Sequence, residues 1–221
     1  MDTIQLIDAA LNRDLKHLSQ VSQNVANVNT NGYMAVKSFD QVLMTQPQTH
    51  VLQHAAGIRD TGRSLDIAIV GDGFFRVLLD GNEYLTRNGH FHINSSGYLA
   101  HASGALVLGE QGPIVVQADG LSISPDGWLN QAGTPLTKLS ISISAELKES
   151  RLGQGLYVSD LPGRQLETYA VKIAAVNTSN VNSSAESVRM MELSRHIQSL
   201  QKAAASYDQM LSSGINELGK K

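Results

Sequence analysis

The chain has 221 residues, enough for one sizeable core or two small ones. Seventeen basic against twenty acidic residues leave a formal charge of -3, which excludes the electrostatic footprint of a nucleic-acid binder and a polybasic membrane patch and leaves proteins as the expected partners. There is no cysteine, so a disulfide framework and a thiolate metal site are excluded too.

The opening run, MDTIQLIDAALNRDLKHL, carries early acids and evenly spaced polar residues, where a secretory signal needs a basic start and an unbroken apolar stretch. No later segment approaches the roughly 20 apolar residues of a membrane span. The expectation is a chain that either stays inside or leaves by a route reading no cleavable signal, with no membrane insertion. Ile4, Leu11, Leu18 and Val25 recur at heptad spacing, and Ile7, Val21 and Val28 form a second seam interrupted at Asp14. This spacing predicts an amphipathic helix over residues 3–29, roughly 40 Å long at 1.5 Å per residue.

From Ser19 to Asn31 that helix carries no charge, and asparagines stand at 24, 27, 29 and 31. Amides can be buried when each donor and acceptor finds a partner, whereas an unpaired charge cannot be accommodated cheaply. The composition suits a helix enclosed on several sides, stopped by a left-handed Gly32, with Tyr33 packing back across the stop. Residues 44–63 lack both periods and read as a linker.

From about Leu65 to Val158 short apolar runs alternate with turn signals: LDIAIV, GDG, FFRVLL, DGN, EYLTR. That is the punctuation of antiparallel β-structure. LSISIS, residues 139–144, alternates strictly and is expected to bury one face. FHINSSGYL (91–99) and LSISPDGWL (121–129) echo one another. Each predicts a hairpin in which Gly97 or Gly127 supplies positive φ and Tyr98 or Trp128 restarts the strand as a large buried residue. Residues 161–182 read as a return segment. A second helix follows over 183–221, with Met190, Ile197, Ala204, Leu211 and Leu218 on one seam and Leu193, Leu200, Tyr207 and Gly214 on the other. Ser183 and Glu186 stand at capping-box spacing at its start.

The fold class is therefore α+β: long N- and C-terminal helices paired as a coiled-coil-like core around a central, mostly antiparallel all-β domain. Its divisions are 1–43 (axial helix and signature), 44–63 (linker), 64–160 (β-domain), 161–182 (return) and 183–221 (axial helix). Catalytic and nucleotide-binding signatures are missing: no phosphate loop, no H-E-x-x-H, no G-x-S-x-G. His90, His92 and His101 could be imagined as metal ligands, but no acidic residue lies between Glu83 and Glu110 to complete the set. The Asp-Gly pairs at Asp80, Asp119 and Asp126 fit β-turns better than calcium loops. No enzyme activity, metal or cofactor is expected.

SQNVANVNTNGYMAVKSF resembles the N-terminal signature of bacterial flagellar rod and hook proteins, carried here by Asn24, Asn27, Thr30, Gly32 and Tyr33. TGRSLDIAIVGDGFFRV, with Gly71, Gly73, Phe74 and Phe75, is similar to the segment that opens their β-domain. YLTRNGHFHINSSGYLAHASGALVLG resembles their strand-and-turn block. SNVNSSAESVRMMELSRHIQSLQKAAASYDQML, starting at Ser179, Asn180 and Val181, resembles their C-terminal helix. The chain departs from the family pattern at Asn31, where proline is frequent, at Met34, where a basic residue is frequent, and at Ser194, which replaces glutamine before Arg195.

The resemblance implies a structural subunit of the periplasm-spanning flagellar rod, exported unfolded through the flagellar type III apparatus without cleavage. Its implied partners are copies of itself and other rod and hook axial proteins. The helices would pair and line the inner tube, with the β-domain outside. Short length with one β-domain implies a rod rather than a hook subunit, of the proximal type before the distal or a short hook type. A carbohydrate-binding β-domain with dimerising helices is the alternative from another class.

Overall fold

The structure is a computed structural model that describes residues 3–39, 48–51, 57–117, 120–144, 147–150, 152–153, 155–159 and 163–218. It comprises two compact units, Met1–Ala26 with Asn182–Lys221, and Asn27–Val181.

The first unit is a helix pair, α1 (Thr3–Ala26) packed on α2 (Ser183–Leu218). Both form for the reason their spacing predicts: apolar residues at heptad intervals build a stripe along each helix, broken on α1 at Asp14. On α1 the stripe holds half-buried Ile7, Leu11, Leu18 and Val25 and fully buried Val21. On α2 it holds half-buried Met190, Leu193, Leu200, Ala204 and Tyr207 and fully buried Ile197. Ile4 and Leu211 are exposed, and the Leu218 side chain lies outside the described residues.

Helix ends differ from the sequence expectation. α1 stops at Ala26, so Val28 lies in the turns beyond it, and Gly32 (φ 66°) comes too late to be the stop. α2 is capped by Asn182, not Ser183: Ala185 N–H donates to Asn182 Oδ1 (3.1 Å) and Glu186 N–H to its carbonyl (3.0 Å). Asparagine is as good an N-cap as serine, and Glu186 one turn in complements the helix dipole.

In the second unit the strands are β1 (Val36–Phe39), β2 (Gln48–Val51), β3 (Ile58–Asp60), β4 (Ile67–Val70), β5 (Phe74–Leu79), β6 (Asn82–Thr86), β7 (Phe91–Ile93), β8 (Leu99–His101), β9 (Leu106–Gly109) and β10 (Gly112–Pro113). They continue with β11 (Leu121–Ile123), β12 (Trp128–Gln131), β13 (Thr134–Lys138), β14 (Ile141–Ile143), β15 (Lys148–Glu149), β16 (Leu156–Val158), β17 (Arg164–Gln165), β18 (Ala170–Ile173) and β19 (Ala175–Asn177). The largest sheet runs β15-β16-β6-β5-β9-β8-β7, with β14 joining β5 to β17 and β10 on β9; β11-β12-β13 form a separate sheet. All the pairings are antiparallel. β2 and β3 lie in the stretch expected to be a linker, and β17, β18 and β19 in the expected return segment. Their pairs, β3 with β19 and β4 with β18, join residues a hundred or more apart, which no local period reveals.

Phe74 and Phe75 are adjacent in an extended strand and so point to opposite faces. Phe75 enters the main core with Ile67, Ile69, Val77, Phe91, Leu129 and Ile141, meeting Phe91 edge-on at 5.1 Å between ring centroids. Phe74 enters a second cluster with Met34, Val36, Leu85, Leu147 and Tyr157.

The two echoing hairpins share one hydrogen-bond pattern. Asn94 and Ser124 N–H donate to the carbonyls of Tyr98 and Trp128, and Gly97 and Gly127 N–H donate to the carbonyls of Asn94 and Ser124. Both glycines have positive φ, as expected. Trp128 is exposed and Tyr98 half-buried, while the leucines that follow, Leu99 and Leu129, are fully buried. The period of two put the following residue, and not the aromatic, on the core face.

LSISIS also differs: Ser140, Ser142 and Ser144 are buried along with Leu139 and Ile141. Short hydroxyls fit a covered face when they are bonded, as Ser140 Oγ is to Arg76 Nη1 (3.0 Å) and Ser144 Oγ to Ser159 Oγ (2.5 Å).

His101 is buried on β8. Ser103 N–H donates to its Nδ1 (3.2 Å) and Ser103 Oγ lies 2.8 Å from that atom, so the proton sits on Nε2 and the ring is neutral. Burial, helped by His90 and His92, lowers its pKa to about 4. The unfolded chain binds the proton at the ordinary 6.5, so the contribution is intact above 6.5 and lost as pH falls through 4. Denaturant titrations should show the second unit losing about 3 kcal/mol from this group between those pH values, and His101→Gln should flatten that part of the profile.

Candidate functional site

The chain crosses into the β-rich unit at residues 27–36 and leaves it at residues 175–181. These crossings, which carry most of the family signature, are bonded side by side within that unit. Residues 27–32 are turns: Thr30 Oγ1 donates to Asn27 Oδ1 (3.0 Å), and Tyr33 N–H to the Thr30 carbonyl (3.2 Å). Gly32 N–H donates to the Asn177 carbonyl (2.7 Å), Asn180 N–H to the Tyr33 carbonyl (3.2 Å), and Ala35 N–H to Asn180 Oδ1 (2.6 Å). Met34 N–H donates to the Tyr157 hydroxyl (2.7 Å), whose pKa burial pushes up. Tyr33, Met34, Ala35 and Val36 are all buried.

Asn177, with no exposed surface, imitates a strand. Its Oδ1 accepts from Ile69 N–H (2.9 Å) and its Nδ2 donates to the Ile69 carbonyl (3.0 Å), satisfying both backbone groups of a buried residue. Gly32 permits the approach. A Cβ there would stand 2.2 Å from the Arg87 carbonyl carbon, and φ of 66° disfavours any side chain. Arg87 is itself buried, its guanidinium donating to the carbonyls of Gly73 (3.1 Å) and Gly71, with burial lowering its pKa against the opposing pull of Asp72. Gly71 and Gly73 thus serve as carbonyl acceptors, and Phe74 and Phe75 as core anchors. Ser179 Oγ accepts from Val181 N–H (3.3 Å).

Asn24 is buried on α1, and Asn31 Oδ1 accepts from Arg59 Nη2 (3.1 Å). Apart from Asn24, the asparagines of the signature are spent on turns and strand-like bonds within the second unit rather than on a long enclosed helix. Sequence reasoning missed Asn177, Arg87 and Tyr157; all three act across long sequence separations, and only the clustering of amides in VNTSNV hinted at the first.

The three histidines go to separate tasks. His90 Nδ1 lies 2.9 Å from Asp66 Oδ1, His92 is exposed, and His101 is bonded to Ser103. Among the described residues no group of three or more His, Asp or Glu is placed to hold a metal, and no helix is long and apolar enough to cross a membrane. A cavity of about 450 Å³ is lined by Arg76, Glu83, Ser142, Tyr157 and Gln165, among others. Its charged pair is already matched, Arg76 Nε and Nη2 donating to the two Glu83 oxygens at 2.5 and 2.7 Å.

The helix pair is discontinuous in sequence, with the β-rich unit between its two halves along the chain, and both crossings are bonded into that β-rich unit. Residues 68–149 match the family model of the flagellar hook protein FlgE/F/G D1 domain, and residues 174–218 that of the flagellar basal body rod FlgEFG protein C-terminal region. The chain belongs to this family of flagellar hook and basal-body rod proteins.

Within it the likeness is of the FlgF/FlgG rod type. The chain is 29% identical to the flagellar basal-body rod protein FlgG of Buchnera aphidicola subsp. Baizongia pistaciae, over 88% of this chain and 91% of that one. It is 24% identical to the rod protein FlgF of Caulobacter vibrioides over 93% of both, and 31% identical to FlgF of Rhizobium meliloti over 57% of this chain and 58% of that one.

Gly32→Ala should destabilise the second unit by about 3 kcal/mol, combining the left-handed penalty with displacement of the Arg87 backbone. Asn177→Leu, similar in size, should cost roughly 2 to 4 kcal/mol by stranding both polar groups of Ile69. Chemical denaturation of each variant against the unaltered chain measures both.

Proposed function

We propose that this chain is a structural subunit of the flagellar basal-body rod, which assembles with its own copies and with other axial proteins into a helical tube. The observation that carries the reading is the state of the two apolar stripes. They run along most of α1 and α2, yet of the stripe residues whose side chains are described only Val21 and Ile197 are fully buried. Two helices alone cover one side of each stripe, and neighbouring helices would supply the rest. Head-to-tail, heterologous contacts of this kind generate an open helix rather than a closed ring.

In this proposal Ile4, Ile7, Leu11, Leu18, Val21, Val25 and the α2 stripe from Met190 to Leu218 form a coiled-coil-like axial layer, and the β-rich unit an outer one. The periplasm-spanning location, the type III export route and a proximal position in the rod are its finer parts. Support for the location comes from the relatives, which are named basal-body rod proteins. The carbohydrate-binding alternative gains nothing from the cavity, whose charged groups already satisfy each other.

Leu200→Asp places an unpaired carboxylate in the stripe, where burial costs several kcal/mol per subunit. Expressed in place of the native chain, it should abolish rod assembly and motility while the second unit keeps its unfolding midpoint. Normal assembly by this variant would contradict the axial role of the stripe.

A further inference from the structure

Asp14 interrupts the apolar stripe of α1 at a position where the heptad calls for a hydrophobe, and it is only 3% exposed. Its Oδ2 accepts a hydrogen bond from Nδ1 of His196 on α2 at 2.5 Å, and Arg13 Nε stands 3.6 Å from its other oxygen. His196 immediately precedes the stripe residue Ile197 and flanks the seam, with its ring half exposed. The end of α1 and the start of α2 adjoin crossings that are bonded side by side, Asn180 to Tyr33 and Ala35, and Asp14 and His196 each lie roughly three and a half turns from those ends, so the pair runs antiparallel.

A buried carboxylate without a partner is strongly destabilising, which makes such a residue a sensor of alignment. Sliding α1 by one heptad in one direction would set Ala203 opposite Asp14 and leave the carboxylate no partner on α2, with only the 3.6 Å contact to Arg13 of its own helix. Sliding it the other way would set Arg189 there and preserve an ion pair, but α1 would then end opposite Leu200, and Ala204 and Tyr207 would lose their cover. The observed alignment alone both satisfies Asp14 and covers the stripe. Heptad spacing by itself does not choose between the observed alignment and the Ala203 slip, because leucine, valine and isoleucine repeat at the same interval in both.

We infer that Asp14 and His196 form a register lock, a buried carboxylate held by a half-exposed imidazole, that confines α1 and α2 of one chain to a single antiparallel alignment. The helix pair therefore presents one defined surface to whatever packs on it. This inference rests on the helix pair alone and is independent of the rod reading.

The chain has no cysteine, so paired cysteines in the full-length protein report alignment cleanly. Leu11→Cys with Leu200→Cys marks the observed register. Leu18→Cys with Leu200→Cys marks the Ala203 slip, and Ile4→Cys with Leu200→Cys the Arg189 slip. Under mild oxidation the first pair should cross-link at least roughly tenfold faster than either slipped pair. Adding Asp14→Leu should bring the Leu18–Leu200 pair close to the first without loss of helical circular dichroism, while the Ile4–Leu200 pair, whose slip uncovers Ala204 and Tyr207, stays slow; the exchange Asp14→His with His196→Asp should restore the preference over the Leu18–Leu200 pair. A preference over that pair that survives Asp14→Leu, or an exchange that fails to restore it, would overturn the lock. Loss of helix in Asp14→Leu would overturn it too, since the pair would then be holding the helices together rather than aligning them.

Discussion

The amide of Asn177 is the interaction on which the β-rich unit depends. Its side chain closes the backbone of Ile69 in the main core, while its carbonyl takes the Gly32 amide from the other end of the unit. Asn180 adds two bonds to Tyr33 and Ala35 three residues further on. Each bond contributes about 1 kcal/mol net, but leaving any of these buried groups unmade costs more, so the set is either whole or absent. The consequence is that both crossings of the chain belong to the folded body. They cannot act as loose tethers.

That arrangement explains why glycine and arginine occupy unusual places. Arg87 spends its donors on the carbonyls of Gly71 and Gly73, which orders the turn ahead of Phe74 and Phe75. Its own backbone then forms the surface against which Gly32 lies. One strand thereby feeds two cores, Phe75 facing one and Phe74 the other, and the second core includes Met34 and Val36 from the inbound crossing.

What could be read in advance was whatever has a short period. The heptads of α1 and α2, the Asp80-Gly81 turn with both residues at positive φ, and the paired hairpins at 91–99 and 121–129 are local signals, and each is present. Pairings across the length of the chain left no such trace: β3 with β19, β4 with β18, and Tyr157 with Met34. The serines of 139–144 misled because alternation marks one buried face only when the other meets water, and here the second face is covered as well. Asp14 showed itself as a flaw in the heptad, yet its partner His196 stands off the seam, where stripe counting does not look.

The family places this chain among subunits of the flagellar axis, and the helix pair with its half-covered stripes is the part that assembly would complete. The β-rich unit is complete by itself, and its two crossings are built into it. Amide hydrogen exchange in the full-length chain tests that most directly. The Gly32, Ala35 and Ile69 amides should exchange only through global unfolding of the unit, together with the β5 and β6 amides. Exchange of Gly32 and Ala35 at the rate of unprotected turns, with β5 and β6 still protected, would show that the crossings are tethers and contradict it.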